Sequence, residues 1–157
     1  MTADRVLSRG ELVRRFGRPR DRRLVFTNGV FDLLHAGHLA SLETARALGE
    51  QLVVGINTDD STRRLKGPSR PYQAEGDRAR LVAGLRCVDA VTLFDEDTPE
   101  ALIAALLPDV LVKGADYEGR EVAGAEAVRA AGGEVRLLDM VRGRSTSELA
   151  ARIREAE

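Results

Sequence analysis

Both histidines of this chain lie in one short stretch, HAGH, as His35 and His38. The stretch follows an apolar run and stands where a helix is expected to begin, with Gly37 between the two imidazoles. The first N–H groups of a helix have no partner within it, so a helix start attracts anions, and phosphate is the usual one. The imidazoles bring two more hydrogen-bond donors to the same place. We therefore predict a cradle for a phosphoryl group that gains negative charge during a reaction.

A zinc site is the main alternative for two neighbouring histidines. Zinc-binding histidines on one helix usually stand four positions apart, whereas these stand three apart. The sequence holds no third histidine, and its single cysteine, Cys87, lies far along the chain in an apolar context typical of a core residue. We therefore predict no protein-bound metal at the histidines and no catalytic thiol at Cys87.

The elements that would hold these residues alternate regularly along the chain. Continuous apolar runs predict buried strands at residues 23–29, 51–57, 89–94, 109–114 and 134–140. Start signals and apolar periodicity predict helices at residues 8–16, 38–48, 58–65, 77–85, 98–107 and 123–131, and a last one from about 147. Ser8 with Glu11 resembles a capping box, and Pro99 is expected at the first position of its helix.

This order of elements predicts an α/β fold with a five-stranded, parallel, doubly wound, Rossmann-like sheet. Continuous apolar strands are expected where helices cover both faces of a sheet. We assign residues 1–21 to an N-terminal helix and connector, and residues 22–157 to a single α/β domain. Ligands of such sheets bind beyond the carboxyl ends of the strands, where the strand order reverses. The site is therefore expected in the loops after strands one, two, four and five.

Basic residues follow strand two. Lys66 stands in a segment rich in glycine and proline, KGPSRP, with Arg70 as a weaker candidate, and Arg78 follows in EGDRARL. Lysine and arginine are the side chains that contact phosphates most readily. The ordinary alternatives are a solvated lysine and an arginine in a surface ion pair.

Polar residues also follow strands four and five. Lys113, Gly114 and Asp116 stand where the sheet presents its ligand side, although an aspartate beside glycine is equally typical of a turn. The stretch Ser145, Thr146, Ser147 precedes the last helix, and Thr146 or Ser147 would serve as its N-cap. The same helix start could face the histidines and receive the outer phosphates of a ligand.

The composition argues against two kinds of partner. The 24 basic and 25 acidic residues leave a net charge of −1, which gives no reason to expect nucleic acid or an anionic membrane as the partner. The first ten residues lack the apolar segment of a signal peptide, and no apolar run is long enough to span a bilayer. We therefore expect a cytoplasmic protein.

The motif HAGH, preceded by FDLL after strand one, resembles that of the HxGH nucleotidyltransferase superfamily. Members of this superfamily transfer a nucleoside monophosphate from a nucleoside triphosphate to an acceptor and release pyrophosphate. The resemblance covers the chain from about residue 23 onward. It implies that residues 22–157 form a nucleotidyltransferase domain.

The resemblance also implies roles for single residues. His35, His38 and Lys66 would be catalytic. The nucleotide and its phosphates would be bound by Gly29, Val30, Phe31, Asp32, Gly37, Arg78, Lys113, Gly114, Asp116, Ser145, Thr146 and Ser147. Asp32 is either a metal ligand or a residue that orders its loop. Mg²⁺ is expected to accompany the triphosphate, mostly through phosphate oxygens and water.

Several stretches, among them NTDDSTRRLKGPSRP, PDVLVKGADY and GGEV, are similar to the heptose 1-phosphate adenylyltransferases. This similarity implies ATP and a sugar 1-phosphate as substrates and ADP-heptose as a product, and we expect a homodimer. In many bacteria such an enzyme is the C-terminal half of a protein that is also a sugar kinase. We expect no kinase activity here, because 157 residues are filled by one doubly wound domain.

Three other functions stay open. Glycerol-3-phosphate cytidylyltransferases share the histidine motif but carry an arginine where Met140 stands, which favours ATP over CTP as the donor here. An FAD synthetase-like adenylyltransferase and a nucleotide-binding regulator without turnover are the other two. Val30, Gly76, Asp77 and the arginines of MVRGRSTS depart from the heptose pattern, so they leave the acceptor open.

Overall fold

The computed structural model describes residues 1–139 and 143–157. The strands are β1 Leu24–Gly29, β2 Gln51–Asn57, β3 Ala90–Phe94, β4 Val110–Gly114 and β5 Glu134–Leu138. They form one sheet in the order β3-β2-β1-β4-β5, and every pair is parallel. The chain moves outward from β1 to β3 and then returns to the other side of β1 with β4. This confirms the predicted doubly wound α/β sheet and places its switch point between β1 and β4.

The described residues form seven α-helices, and each lies close to a predicted position. They are α1 Arg9–Phe16, α2 Ala36–Arg46, α3 Asp59–Lys66, α4 Glu75–Ala83, α5 Glu100–Leu106, α6 Ala125–Ala130 and α7 Thr146–Glu155. Short 3₁₀ turns occur at Thr2–Arg5 and Ala115–Tyr117. Within residues 1–139 and 143–157, none of the helices has the length and apolar character needed to cross a membrane.

Capping residues fix where the helices begin. Ser8 caps α1 as predicted, because its hydroxyl accepts the N–H three residues further on. Two predicted starts are wrong by one or two positions. Pro99 is the N-cap of α5 rather than its first residue. Ser145, and neither Thr146 nor Ser147, caps α7 by accepting an N–H with its side chain.

Apolar side chains cover both faces of the sheet. On one face Phe26 of β1 lies in a buried cluster with Ile103 of α5. On the other face Val25 lies in a second buried cluster with Leu42 of α2 and Val82 of α4. Each such side chain contributes roughly 1.5–3 kcal/mol when it is fully removed from water. The two clusters hold the ends of β1 and β4 in fixed positions. The loops that follow these strands therefore start from fixed points.

The N-terminal segment packs onto the same domain. Leu7 and Leu12 are buried in the first cluster. Val6 bridges Val91 of β3, and the N–H of Leu7 donates to the carbonyl oxygen of Val91 at 2.8 Å. The segment before β1 therefore covers the β3 edge of the sheet.

Strand β5 departs from the prediction that every strand is buried on both faces. Glu134 and Arg136 are exposed, and Leu137 is 39 % exposed. Among the described residues β5 pairs only with β4, so it forms the second edge of the sheet, where a polar residue has access to water. Met140, at the end of the predicted strand, lies outside the described residues.

Candidate active site

The loop after β1 is held in a constrained conformation. Phe31 has φ 54° and Leu33 has φ 47°, a region that residues other than glycine seldom adopt. Such backbone persists where the surroundings determine it, and it is often found at functional sites. A Cβ on Gly29 would lie 3.0 Å from the ring of Phe31. A side chain at the end of β1 would therefore press on the aromatic ring that packs over it, and glycine avoids this.

The two histidines cap the start of α2 by binding each other's backbone. His35 is the N-cap, and its Nδ1 accepts the N–H of Gly37 at 3.1 Å and that of His38 at 3.4 Å. The Nδ1 of His38 in turn accepts the N–H of His35 at 3.2 Å. The rings stack with their centroids 3.8 Å apart. This is a capping box in which imidazole nitrogens take the place of the usual side-chain oxygens.

This hydrogen bonding decides which nitrogen of each ring carries the proton. A neutral imidazole has one donor nitrogen and one acceptor nitrogen, so a ring that accepts at Nδ1 carries its proton on Nε2. The expectation of free N–H groups at this helix start needs correction, because His35 already binds the N–H groups of Gly37 and His38. The donors that the two histidine side chains offer to a ligand are their Nε2–H groups.

Gly37 has a steric role in this arrangement. A Cβ at this position would lie 2.9 Å from the Nδ1 of His35 and 2.7 Å from the Cβ of Arg144. A larger residue would push the imidazole off the helix start or displace the segment before α7. The glycine of the motif therefore leaves space for the side chains of His35 and Arg144.

Burial keeps both histidines uncharged near neutral pH. Burial lowers the pKa of His38 to about 4, and the nearby His35 and Lys66 act in the same direction, while Asp32 opposes them. Burial also lowers the pKa of His35, and the charge of Arg144 adds to that effect. Neutral imidazoles donate hydrogen bonds without repelling neighbouring cations. Positive charge at the site therefore comes from Lys66 and Arg144.

A cavity of about 230 Å³ opens in front of the histidine pair. It is bounded by the start of α2, the end of α3 and the start of α7, through His35, Gly37, His38, Ser41, Lys66, Arg144, Ser145, Thr146 and Ser147. A second cavity of about 220 Å³ follows the loop after β1 and is lined by Asn28, Gly29, Val30, Phe31, Asp32, His38, Lys66, Arg70 and Thr146. Residues from three separate stretches of the sequence thus meet around His38. We call these two spaces together the histidine cavity.

The start of α7 offers the anion site that α2 lacks. Ser145 binds the N–H of Glu148, whereas the N–H groups of Thr146 and Ser147 have no partner in the described part of the chain. The hydroxyl of Thr146 donates to the carbonyl oxygen of Asp32 at 2.6 Å, which ties α7 to the loop after β1. The free N–H groups and the positive end of the helix dipole then lie beside the histidine cavity.

Asp32 orders the loops around the cavity. Its side chain is buried, and its two carboxylate oxygens accept the N–H groups of Tyr72 at 2.8 Å and Gln73 at 3.0 Å. These bonds hold the segment after α3 against the loop after β1. Of the two roles expected for Asp32, the contacts support loop ordering.

Arg78 lies away from the histidine cavity, which corrects its prediction as a phosphate contact. Its guanidinium is fully buried and pairs with the carboxylate of Asp59 at 2.8 Å. It also donates to the carbonyl oxygens of Val30 at 2.7 Å, Asn57 at 2.9 Å and Gln73 at 2.9 Å. Arg78 therefore joins three loops on the side away from the histidine cavity. It positions the site and does not face a ligand.

Two further cavities meet at the switch point of the sheet, above the carboxyl ends of β1 and β4. One of about 430 Å³ has many polar residues in its lining, among them Asn57, Lys66, Asp97, Thr98, Tyr117 and Glu121. The other, of about 210 Å³, has apolar walls from Phe31, Leu42 and Leu138, with Ser41, Asp116 and Asp139 at polar positions. Thr27, Asn28, Lys113 and Gly114 line both. We call them the polar cavity and the apolar cavity.

Three residues of the site were missed by the sequence analysis. Arg144 lines the histidine cavity, Ser41 lies one helical turn after His38, and Asn28 lines three of the four spaces. The position of Ser41 three residues after His38 was a usable signal, since such residues share a helix face. Asn28 had a weaker signal, as a polar residue at the end of an otherwise apolar strand.

The fold and the site together define a class of protein. A parallel doubly wound sheet with cavities at its switch point is typical of nucleotide-binding α/β proteins. Neutral imidazole donors, a lysine and a free helix start around one cavity are suited to phosphate chemistry.

Comparison with known families then gives the assignment. Residues 26–144 match the model of the cytidylyltransferase-like family, and the chain belongs to that family. The predicted nucleotidyltransferase class is thereby confirmed.

The most similar relatives include proteins named bifunctional protein HldE. The chain is 61 % identical to the one from Azorhizobium caulinodans over 132 residues, which are 84 % of this chain and 28 % of that protein. It is 50 % identical to the one from Wolinella succinogenes over 152 residues, which are 96 % of this chain and 31 % of that protein. The chain thus spans less than a third of the length of these relatives.

Solved structures give the same fold. A lipopolysaccharide core biosynthesis protein from Thermoplasma volcanium superposes with a TM-score of 0.64 at 29 % identity, over 79 % of this chain and 100 % of that one. Pantothenate synthetase from Thermus thermophilus superposes with a TM-score of 0.56 at 22 % identity, over 88 % of this chain and 62 % of that one. The second similarity extends to the fold alone.

Proposed function

We propose that this chain is an adenylyltransferase that transfers AMP from ATP to a heptose 1-phosphate, giving ADP-heptose and pyrophosphate. The observation that carries the transfer chemistry is the histidine pair, which keeps its Nδ1 atoms on the backbone and lines a cavity shared with Lys66 and the start of α7. The acceptor is supported by the identity of 50–61 % to the two HldE proteins described above. The stretches KGPSRP and LVKGADY, which border the cavities, support it as well.

The reaction forms one P–O bond and breaks another. An oxygen of the acceptor phosphate attacks the α-phosphorus of ATP in line, and pyrophosphate leaves with the electrons of the broken bond. A phosphate monoester is largely ionised near neutral pH, because its second pKa is about 6. The acceptor therefore needs no strong general base, and the protein's main tasks are positioning and charge stabilisation.

The histidines stabilise the charge that develops on the α-phosphate and on its bridging oxygen. Because each Nδ1 is fixed by the backbone, each Nε2–H is aimed before the substrate arrives, and little reorganisation is needed during the reaction. Lys66 and Arg144 offset the charge of the triphosphate tail. The N–H groups of Thr146 and Ser147 complete the anion site at the start of α7.

The residues present fit a magnesium ion carried by the nucleotide. Among the described residues no group of three or more His, Cys, Asp and Glu side chains is arranged to hold a metal ion. Magnesium at phosphoryl-transfer sites commonly keeps several waters and binds substrate phosphates, so it does not require such a cage. When bound, Mg²⁺ would neutralise phosphate charge.

The two cavities at the switch point suit the two substrates. The apolar cavity fits a nucleoside, whose base would lie against Phe31, Leu42 and Leu138 while Asp116 meets ribose hydroxyls. The polar cavity fits a sugar with many hydroxyl groups, next to Thr98 and Glu121. A site built to bind hydroxyls rejects acceptors that lack them, because its own polar groups would be left unpaired.

A panel of donors and acceptors tests this proposal. ATP and CTP would each be combined with D-glycero-D-manno-heptose 1-phosphate, glycerol 3-phosphate and flavin mononucleotide, and pyrophosphate release would be measured. We expect the highest kcat/KM for ATP with the heptose phosphate and no reaction with free heptose. Met140, from which the preference for ATP over CTP was inferred, lies outside the described residues, so the panel tests the donor independently. Faster reaction with CTP and glycerol 3-phosphate would replace the proposal with a cytidylyltransferase.

Assembly and location are also part of the proposal. We infer a homodimer and a cytoplasmic enzyme, as expected from the sequence. Sedimentation equilibrium of the purified chain measures the mass in solution, and a monomer at all concentrations would contradict the dimer.

A further inference from the structure

Lys113 carries a buried charge that the mechanism above leaves without a task. Its side chain is only 8 % exposed. Its ammonium group donates to the amide oxygen of Asn28 and lies 5.5 Å from the ring centroid of Tyr117. Neither neighbour carries a negative charge, and within residues 1–139 and 143–157 no carboxylate forms an ion pair with it. Asp116 lies near enough for its charge to raise the pKa of Lys113, but it forms no ion pair with the ammonium group. A buried ammonium ion without a directly paired anion is costly, so the site is arranged to receive one.

The position of Lys113 in the sheet indicates which anion would bind beside it. The residue is the last but one of β4 and contacts Asn28 of β1 across the switch point, and it lines both the polar cavity and the apolar cavity. A group that bridges the two substrates must pass this point. The charged side chains around these cavities are Lys66, Asp97 and Glu121 on the polar side and Asp116 and Asp139 on the apolar side.

We propose that Lys113 is a catalytic cation that contacts the phosphate of the acceptor and holds it against the α-phosphate of the nucleotide. The inference rests on the proposed function. The acceptor oxygen forms its bond to the α-phosphorus and the bond to pyrophosphate breaks, while Lys113 keeps its proton throughout. A phosphate dianion supplies the directly paired anion that the buried ammonium group lacks, and a sugar hydroxyl does not.

The charge state of Lys113 gives the proposal a distinctive signature. Burial lowers the pKa of Lys113 to about 8, and the charge of Asp116 opposes this shift without cancelling it. The side chain of the free enzyme is therefore a cation below about pH 8 and neutral above it. At ATP concentrations far below saturation, kcat/KM for the acceptor reports the ionisation of the free enzyme. Its value should therefore fall as the pH rises through about 8.

Comparing Lys113→Met with Lys66→Met distinguishes a specific contact between Lys113 and the acceptor phosphate from a requirement for any positive charge at the site. We expect Lys113→Met to lower kcat/KM for the acceptor by ~10²-fold or more at neutral pH and to remove the fall above pH 8. Lys66→Met should also lower activity but keep that fall. The melting temperature of Lys113→Met should be equal to or above that of the wild type, because a buried charge has been removed.

Three results would overturn the proposal. Wild-type kcat/KM in Lys113→Met would show that the ammonium group contacts no reacting substrate. A kcat/KM that rises through pH 8 would assign Lys113 the role of a neutral base. A fall above pH 8 that persists in Lys113→Met would belong to another group.

A separate experiment tests anion binding at Lys113 if the proposed function proves wrong. If the wild type does not adenylylate heptose 1-phosphate, the pKa of Lys113 is measured by NMR on protein labelled with ¹³C at lysine Cε, using Lys113→Met for assignment. Inorganic phosphate is then the probe. A pKa that rises when phosphate is added supports an anion site at Lys113, and an unchanged pKa contradicts it.

Discussion

His35 and His38 each use one ring nitrogen for structure and leave the other for a ligand. The Nδ1 atoms bind backbone N–H groups at the start of α2, so the Nε2–H groups have a fixed direction. In the proposed mechanism a single side chain serves both as helix cap and as hydrogen-bond donor to phosphate. Substitutions that keep the acceptor but remove the donor can separate the two tasks.

The first prediction concerns turnover in histidine variants. His35→Ala and His38→Ala should each lower kcat by ~10²–10³-fold, which is the typical loss when one preorganised donor is removed. His35→Asn keeps a good N-cap acceptor, so it should retain the stability that His35→Ala loses, about 1 kcal/mol, yet be as slow. Glu43→Ala, on the exposed side of the same helix, is the control with wild-type rate. Near-normal kcat in both alanine variants would remove the histidines from the mechanism.

The second prediction concerns stability in mild acid. In the unfolded chain the pKa of His38 returns to its ordinary value of 6.5, whereas in the folded chain it is about 4. Between these values the unfolded chain binds a proton that the folded chain does not, so this contribution to stability is complete above pH 6.5 and is lost as the pH falls toward 4. Chemical unfolding at several pH values should show a smaller acid loss in His38→Gln than in the wild type. Parallel curves for the two proteins would contradict the low pKa.

At the scale of elements, buried polar contacts lock the loops of the site to one another. Asp32 holds the segment after α3, Thr146 ties α7 to the loop after β1, and Arg78 joins the loop after β1 to the end of β2. These contacts connect stretches that lie far apart in sequence. The geometry of the histidine cavity therefore depends on residues that do not face it.

The third prediction tests Arg78 as a positioning residue. Arg78→Met should lower the free energy of unfolding by about 3–5 kcal/mol, because it leaves the bonded carbonyl oxygens and Asp59 without their partner. Arg80→Met, an exposed position on the same helix, should stay within about 0.5 kcal/mol of the wild type. Urea unfolding of both variants measures the difference. A large loss of ATP affinity in Arg78→Met with unchanged stability would instead restore it as a phosphate contact.

Local sequence signals located most elements but not the orientation of side chains. Apolar runs and capping residues placed β1, β2 and α1 within a residue or two, because their signals lie within one turn or one strand. β5 was expected to be buried, since its edge position depends on strand order. Arg78 and Arg144 look alike in sequence, yet one is buried behind the site and the other lines it. That difference arises from tertiary packing, which local sequence patterns do not predict.

At the scale of the whole molecule, the sheet brings four spaces to one edge. In the proposed reaction the histidine cavity receives the phosphates, and the polar and apolar cavities receive the acceptor and the nucleoside on either side of Lys113. The order β3-β2-β1-β4-β5 creates this edge by placing the crossover between β1 and β4. A reaction that joins two substrates through a phosphate bridge is consistent with this layout.

The most direct test of the account follows labelled phosphate through the reaction. The protein is incubated with Mg²⁺, heptose 1-phosphate and ATP carrying radioactive phosphorus at either the α or the γ position, and the products are separated. We predict that the α label appears in ADP-heptose and the γ label in pyrophosphate, and that both transfers fall by ~10²–10³-fold in His38→Ala. Appearance of the γ label in the sugar product, or no ADP-heptose from the wild type, would contradict adenylyl transfer by this site.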